Sequence, residues 1–159
     1  MNSPIRTVML AALAAGLLAA APATGADMSV IDKRTATMKD VVLKNFLVVK
    51  NFAQKGQGSA ADVGKAADAL VAIAPKIPPL FPKGTGRPDV DAKKTRAKAE
   101  IWTDWKGFEA AAMALGTEAA KLSKVATSGD KEAIKAQFAI TGKKGCGGCH
   151  KTFRGAKVK

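Results

Sequence analysis

Apolar residues recur along this chain at spacings of three and four, the period of a helix that buries one face. The clearest stripe runs through Ile101, Trp105, Phe108, Ala112, Leu115, Ala119 and Leu122. A second stripe, in a helix predicted from about Val30 to Ala53, comprises Ile31, Met38, Val42, Val49 and Phe52. The sequence has no run with the alternation of a half-buried strand, so the pattern predicts an all-α protein.

Turn and cap residues divide the pattern into four helical segments. Ser59-Ala-Ala-Asp62 has the form of a capping box that starts the second helix, and Pro75 marks the end of that helix. The Pro- and Gly-rich stretch 78–98 cannot continue a helix, so it is the one long crossover. Ser128-Gly-Asp130 opens the fourth helix. Four helices with one long connection predict an antiparallel bundle whose core can enclose a cofactor.

Candidate chemistry is concentrated near the C-terminus, in Cys146-Gly-Gly-Cys149-His150. This segment holds both cysteines and the only histidine of the chain. C-x-x-C-H is the pattern of covalent c-type haem attachment, in which two thiols bind one porphyrin and the imidazole binds its iron. On a helix the three side chains leave from one face, since they are three and four residues apart. We therefore predict one covalent haem c, with His150 as the metal ligand.

Other functions of this segment are less favoured. A structural zinc site usually takes four Cys or His ligands, and the chain has three such residues. A redox dithiol is expected in a βαβ context, and a disulfide between residues three apart on a helix has poor geometry. A dithiol or another metal site remains open as an alternative.

Residues 1–26 have the features of an export signal. Arg6 provides a basic start, Val8 to Ala21 is apolar, and small residues offer cleavage after Ala26 or, as an alternative, after Ala23. The apolar run is too short and too rich in alanine for a stable membrane span. The prediction is a periplasmic protein in which residues 27–159 form one domain.

The remaining chain is strongly basic. The full sequence has a net charge of +13, and removal of Arg6 with the signal leaves +12. Such a surface could bind nucleic acid, but export and the lack of a basic motif with interleaved aromatics argue against this. Two readings remain: a solvated lysine-rich surface with no dedicated partner, or a surface that binds an acidic redox partner.

Four segments together resemble the class II cytochromes c, the cytochrome c′ superfamily, over nearly all of residues 27–159. The segments are Asp32-Lys-Arg34-Thr-Ala-Thr-Met38-Lys, Ile77-Pro-Pro-Leu-Phe-Pro82, Glu100-Ile-Trp102 and Cys146-Gly-Gly-Cys149-His150-Lys-Thr-Phe153-Arg154. The resemblance implies a four-helix bundle with haem near its C-terminus. It also implies that Arg34 pairs with a haem propionate, whereas a lone arginine usually extends to solvent.

The resemblance places Met38 opposite His150. In the low-spin branch this position is a methionine ligand, and the Met38 segment is similar to that branch, which implies a periplasmic electron carrier. In the high-spin branch the sixth site is open, which implies a protein that binds nitric oxide or carbon monoxide. Met28 and Met113 are less well placed, one near the N-terminus and the other beside the apolar stripe.

No enzyme site is predicted. The chain lacks a second histidine for acid–base work, and no acidic pair flanking a cleft can be identified. A subunit of a larger redox complex is a further alternative. The resemblance also leaves open a homodimer through the first two helices, for which Val41, Leu47 and Val48 could supply an apolar strip.

Overall fold

The computed structural model describes residues 27–158, and the predicted export signal lies outside them. The described residues form four long helices joined by short turns and one crossover. Their only β-type pairing is an isolated bridge between Ala97 and Arg154. The predicted all-α four-helix bundle is confirmed.

Each bundle helix is built from one or more segments. The first comprises α1 (Met28–Ala36), π1 (Thr37–Leu43) and α2 (Lys44–Lys55), and the second is α3 (Ala60–Ile73). The third comprises α4 (Glu100–Thr103) and α5 (Trp105–Ala126), and the fourth comprises α6 (Lys131–Ile140), π2 (Thr141–Gly147) and α7 (Gly148–Phe153). Both π segments are stretches of helix with one extra residue per turn, a feature that is frequent at functional sites.

Side-chain caps begin the helices where the sequence predicted them. Ser59 Oγ accepts a 3.1 Å hydrogen bond from the Asp62 amide, and Asp62 Oδ2 accepts one of 3.1 Å from the Ser59 amide. Asp130 Oδ1 accepts bonds of 2.9 and 3.1 Å from the amides of Glu132 and Ala133. These bonds satisfy amides that have no partner within their helices.

The third helix differs from its predicted continuous stripe because it breaks at Asp104. This residue has φ −126° and ψ 60°, outside the helical region. Its carboxylate caps α5 by accepting a 3.0 Å bond from the Gly107 amide. A side chain at Gly107 would collide with that carboxylate, so Asp104 and Gly107 together make the break.

The crossover is tied to the end of the fourth helix. The connection observed between α3 and α4 spans residues 74–99 and contains two short 3₁₀ turns, Ala74–Lys76 and Pro78–Leu80. Further along, the Lys98 amide donates 3.1 Å to Phe153 O, and the Gly155 amide donates 2.8 Å to Arg96 O. The Cys-x-x-Cys-His segment belongs to this fourth helix. The crossover therefore lies beside that segment.

Buried apolar residues form two clusters, one in each half of the bundle. The cysteine-end cluster comprises Ala74, Ile77, Leu80, Phe81, Ala97, Ile101, Phe108, Ala112, Leu115 and Phe153. The far-end cluster comprises Val49, Ala53, Val63, Ala66, Ala67, Leu122, Ala126, Ile134 and Phe138. In residues 27–158 we find no helix that is both long and apolar enough to span a membrane.

Candidate haem site

The Cys-x-x-Cys-His residues lie at the junction of π2 and α7. Cys146 is in the last turn of π2, and Cys149 and His150 follow in α7; all three side chains are half-buried. Gly147 and Gly148 keep right-handed helical backbone angles, so the two segments are continuous. Both cysteines are free thiols and pack against the cysteine-end cluster.

The environment of the thiols is unlike that of a redox-active pair. Burial raises the pKa of Cys146, and it raises the pKa of Cys149 to about 11 with a further contribution from Cys146. Reactive cysteines have a lowered pKa, which increases the fraction of thiolate. Within residues 27–158, no three His, Cys, Asp or Glu residues are grouped to hold a metal ion. The dithiol and zinc alternatives therefore gain no structural support.

His150 is in an environment that favours the neutral imidazole. Burial lowers its pKa, and the positive charges of Arg154 and Arg96 lower it further. The Arg154 amide also donates a 3.3 Å bond to His150 O, which fixes Arg154 one turn after the histidine. Neutral imidazole is the form that binds metals.

Gly145 and Thr141, which precede the motif, determine how it packs. The sequence pattern did not reveal either residue. A Cβ atom at Gly145 would lie 3.2 Å from Leu115 Cα and 3.3 Å from Leu115 Cδ1. Thr141 is fully buried, and its hydroxyl donates 2.9 Å to Gln137 O and 3.2 Å to Glu118 O. Gly145 and Thr141 thus bring π2 into close contact with α5.

Glu118 completes this contact between the third and fourth helices. The residue is only 5% exposed, and its carboxylate accepts 2.9 Å from Lys121 Nζ and 3.0 Å from Gln137 Nε2. These two bonds lower the pKa of Glu118. The only sequence signal was its position directly before Ala119 of the inward stripe.

Met38 lies in π1 and reaches the same cluster as the cysteines. It is half-buried and packs against the cysteine-end cluster together with Val42, Trp102 and Trp105. Met28 and Met113 are 39% and 41% exposed. Of the three methionines in residues 27–158, Met38 is the one placed with the cysteines.

Arg34 is buried rather than extended to solvent. It is 6% exposed, and its guanidinium lies 4.4 Å above the centre of the Phe81 ring. Nη2 donates 2.7 Å to Thr95 Oγ1 and 3.0 Å to Thr85 O, while Nη1 makes longer contacts of 3.4 and 3.5 Å to Thr85 Oγ1 and Leu80 O. Burial lowers the pKa of Arg34 to about 10, so the group stays charged at neutral pH.

Arg34 has no carboxylate partner within 4.0 Å among the described residues. A buried charge is costly unless it is paired, and hydrogen bonds to neutral oxygens compensate only part of that cost. The site is therefore suited to an anionic group beside the crossover.

A protein-family model described as Cytochrome C′ matches residues 29–154, which is most of the chain. The chain belongs to the cytochrome c′ family. Cytochrome c′ of Rhodospirillum rubrum is 32% identical over 160 residues, covering 94% of this chain and 99% of that protein.

Two solved cytochrome c′ structures share the fold. Cytochrome c′ from Rhodobacter spheriodes superposes with a TM-score of 0.70 at 30% identity, covering 82% of this chain and 98% of that one. A cytochrome c′ described as having an unusual ligand-controlled dimer dissociation has a TM-score of 0.69 at 29% identity, covering 81% and 96%. The fold and family implied by the four sequence segments are confirmed.

Proteins of the cytochrome c′ family bind one covalently attached haem c, as the motif predicted. The residues of this chain fit that group, because two free thiols pack against one apolar cluster and the adjacent His150 is in an environment that favours its neutral, metal-binding form. The narrower expectation, membership of the low-spin branch with a methionine ligand, is not supported by these relatives. They carry the name cytochrome c′, which favours the high-spin alternative.

Proposed function

We propose that this member of the cytochrome c′ family would bind a small gas, nitric oxide or carbon monoxide, at the iron of a haem c held by Cys146, Cys149 and His150. The observation that carries the proposal is that Met38, Val42 and Trp105 pack on the same apolar cluster that the two cysteines contact. When bound, haem c supplies an iron that takes a sixth ligand or exchanges one electron. The family match supports an open sixth site.

In this proposal Cys146 and Cys149 hold the group through two thioether bonds, and His150 provides the one protein ligand to iron. The lowered pKa of His150 keeps a nitrogen lone pair available at neutral pH. Replacing both cysteines with serine should give little haem-containing protein. Haem that is extracted from the denatured wild-type protein by acidified acetone would contradict covalent attachment.

Met38 acts as a movable apolar wall. Its side chain is flexible and polarizable, so it would be able to fill an apolar gap next to a bound haem and to give way to a diatomic gas. The half-buried indoles of Trp102 and Trp105 pack on the same cluster. Trp102 is fixed by a 3.0 Å bond from its Nε1 to Phe81 O and by close packing on Gly86.

Arg34 is proposed to bind a haem propionate. Its buried charge lacks a carboxylate partner, and Nη1 makes only the two long contacts. A propionate would supply the missing negative charge, and the forked donors of arginine match a carboxylate. This role remains as the sequence resemblance implied it.

A second candidate is a low-spin electron carrier in which Met38 sulfur is the sixth ligand. The specific observation in its favour is that Met38 packs at the cysteine end while Met28 and Met113 are exposed. A carbon monoxide titration of the reduced holoprotein separates the two candidates. Binding without prior loss of a protein ligand supports the gas-binding function, and resistance to carbon monoxide supports methionine ligation.

We also propose that residues 1–26 direct export and that the holoprotein works in the periplasm as a non-enzymatic haem protein. Leu47 is 40% exposed on the first bundle helix, which is consistent with a homodimer through that helix. The related cytochrome c′ described as having a ligand-controlled dimer dissociation supports a dimer, without indicating which helices form it. Sedimentation of the holoprotein with and without carbon monoxide tests it.

A further inference from the structure

Three chain segments meet where the fourth helix ends. The crossover is joined to itself by a 2.9 Å bond from the Arg87 amide to Ala97 O. It is joined to the C-terminal segment by the bridge between Ala97 and Arg154 and by the bond between Gly155 and Arg96. This junction begins four residues after His150, so it directly adjoins the segment that carries the iron ligand.

Basic side chains are concentrated at this junction. After Glu132 the sequence contains seven lysine or arginine residues and no aspartate or glutamate. The crossover adds the cations Arg87, Arg96 and Lys98. We call the resulting set the basic end surface, and its members are Arg87, Arg96, Lys98, Lys151, Arg154 and Lys157.

Backbone carbonyls of the C-terminal segment fix the crossover cations. Arg96 Nε donates 2.8 Å to Gly155 O, and Lys98 Nζ donates 2.9 Å to Thr152 O. Arg87 donates through Nη2 to Ala156 O and through Nε, at 3.2 Å, to Thr95 O. Because these contacts use only some of the guanidinium donors, the remaining N–H groups of Arg87 and Arg96 can bind an external acceptor.

Most of this charge is uncompensated within the described residues. Lys98 pairs with Glu100, but the three arginines have no carboxylate within 4.0 Å. The crossover also contains Asp89 and Asp91, and neither carboxylate lies within 4.0 Å of these arginines. Asp91 Oδ1 accepts 2.8 Å from the Lys93 amide. Burial is the main cause of the lowered pKa of Arg96, and the positive charges of Arg154 and Arg87 lower it further.

We propose that the basic end surface is the docking site for an acidic electron-transfer protein. Preoriented arginines bind carboxylates through two parallel hydrogen bonds, which fits an acidic protein surface. The place of the surface, next to the helix turn that holds His150, brings such a partner close to the haem. An electron could be delivered there whether the sixth site of the iron is open or is occupied by Met38. The proposal therefore depends only on haem being attached at the motif.

A membrane surface fits these residues less well. Surface-binding helices combine basic residues with exposed aromatic or aliphatic anchors. Phe153 is the one aromatic residue between 148 and 158, and it is 5% exposed. Val158, next to Lys157, is 42% exposed, but it is a single aliphatic side chain. The basic end surface therefore offers charge and oriented donors, one exposed valine and no exposed aromatic anchor.

The test compares two double variants of the holoprotein that change the net charge equally. Lys151→Glu with Lys157→Glu alters the basic end surface at two exposed positions. Lys55→Glu with Lys131→Glu alters the opposite end, where Lys131 Nζ lies near Gly56 beyond the far-end cluster. Haem content and absorption spectra first verify that both variants carry the cofactor, which separates this test from that of gas binding.

The probe is a reduced plant-type [2Fe–2S] ferredoxin, an acidic low-potential electron donor. Stopped-flow second-order rate constants are measured from about 0.01 to 0.1 M salt, over which the Debye length falls from about 30 to about 10 Å. At low salt the basic-end variant should react about tenfold or more slowly than wild type, with a weaker salt dependence. The far-end variant should keep most of the wild-type rate.

A second readout does not depend on electron transfer. Calorimetric titration with oxidised ferredoxin at low salt should show weakened binding for the basic-end variant alone. Equal slowing by both variants would mean that only net charge matters, and it would overturn the proposal. So would an unchanged rate, or a loss of binding to phosphatidylglycerol vesicles in the basic-end variant with no change in either ferredoxin measurement.

Discussion

Thr95 Oγ1 accepts a 2.7 Å hydrogen bond from the buried guanidinium of Arg34, which links the first bundle helix to the crossover. Arg34 also reaches Thr85, ten residues earlier in the crossover. One side chain therefore holds two parts of a connection that has little helix of its own. The same cation lacks a carboxylate among the described residues, so Arg34 serves both the fold and the proposed propionate contact.

Arg34→Lys should destabilise the holoprotein by about 1–3 kcal/mol, because a lysine keeps the charge but loses the forked donors to Thr85 and Thr95. Denaturant unfolding followed by haem absorbance measures the change. Lys33→Ala, at the exposed neighbouring position, is the matched control and should have a much smaller effect. Equal stability of Arg34→Lys and wild type would contradict the assigned role.

Gly145→Val should loosen the contact between π2 and α5. The new side chain would start 3.2 Å from Leu115 Cα, where neighbouring backbone cannot yield easily. We expect a loss of about 1–3 kcal/mol in the free energy of unfolding and a lower yield of haem-containing protein. Gly64→Ala is the control, since its Cβ would meet Ala126 Cβ at an ordinary 3.9 Å. Unfolding midpoints that are equal for wild type and Gly145→Val would exclude this packing constraint.

The free energy of unfolding should depend on pH through Asp62, in the acidic range below 3.8, the ordinary pKa of this carboxyl group. The hydrogen bonds from Ser59 lower the pKa of Asp62 in the folded state. A lowered folded pKa gives stability that is present above pH 3.8 and is lost as the pH falls through the folded value. In Ser59→Ala this loss should shrink, because the main cause of the shift is removed. Thermal unfolding of the two proteins from pH 5 to pH 2 checks it; identical pH profiles would refute the coupling.

Much of the bundle could be predicted because its signals are local. The Ser59–Asp62 capping box and the apolar stripe of the third helix depend on residues a few positions apart. The break at Asp104 was missed because the stripe keeps its spacing across one non-helical residue.

The site was predictable only in part. The sequence showed the attachment motif directly, since its three residues are contiguous. The π segments around Met38 and Cys146 have no distinct residue signature, and the buried position of Arg34 depends on threonines about fifty and sixty residues away. The close approach at Gly145 likewise depends on Leu115 of another helix.

The central claim is that Met38 borders an open coordination site rather than occupying it. The most direct measurement is a carbon monoxide titration of the reduced holoprotein, paired with the absorption spectrum of the oxidised form. Met38→Leu is the matched control, because leucine keeps a similar apolar volume and removes the sulfur. We predict a high-spin oxidised spectrum and rapid carbon monoxide binding in both proteins. A low-spin wild type that resists carbon monoxide, with binding only in Met38→Leu, would contradict the claim and establish Met38 as the iron ligand.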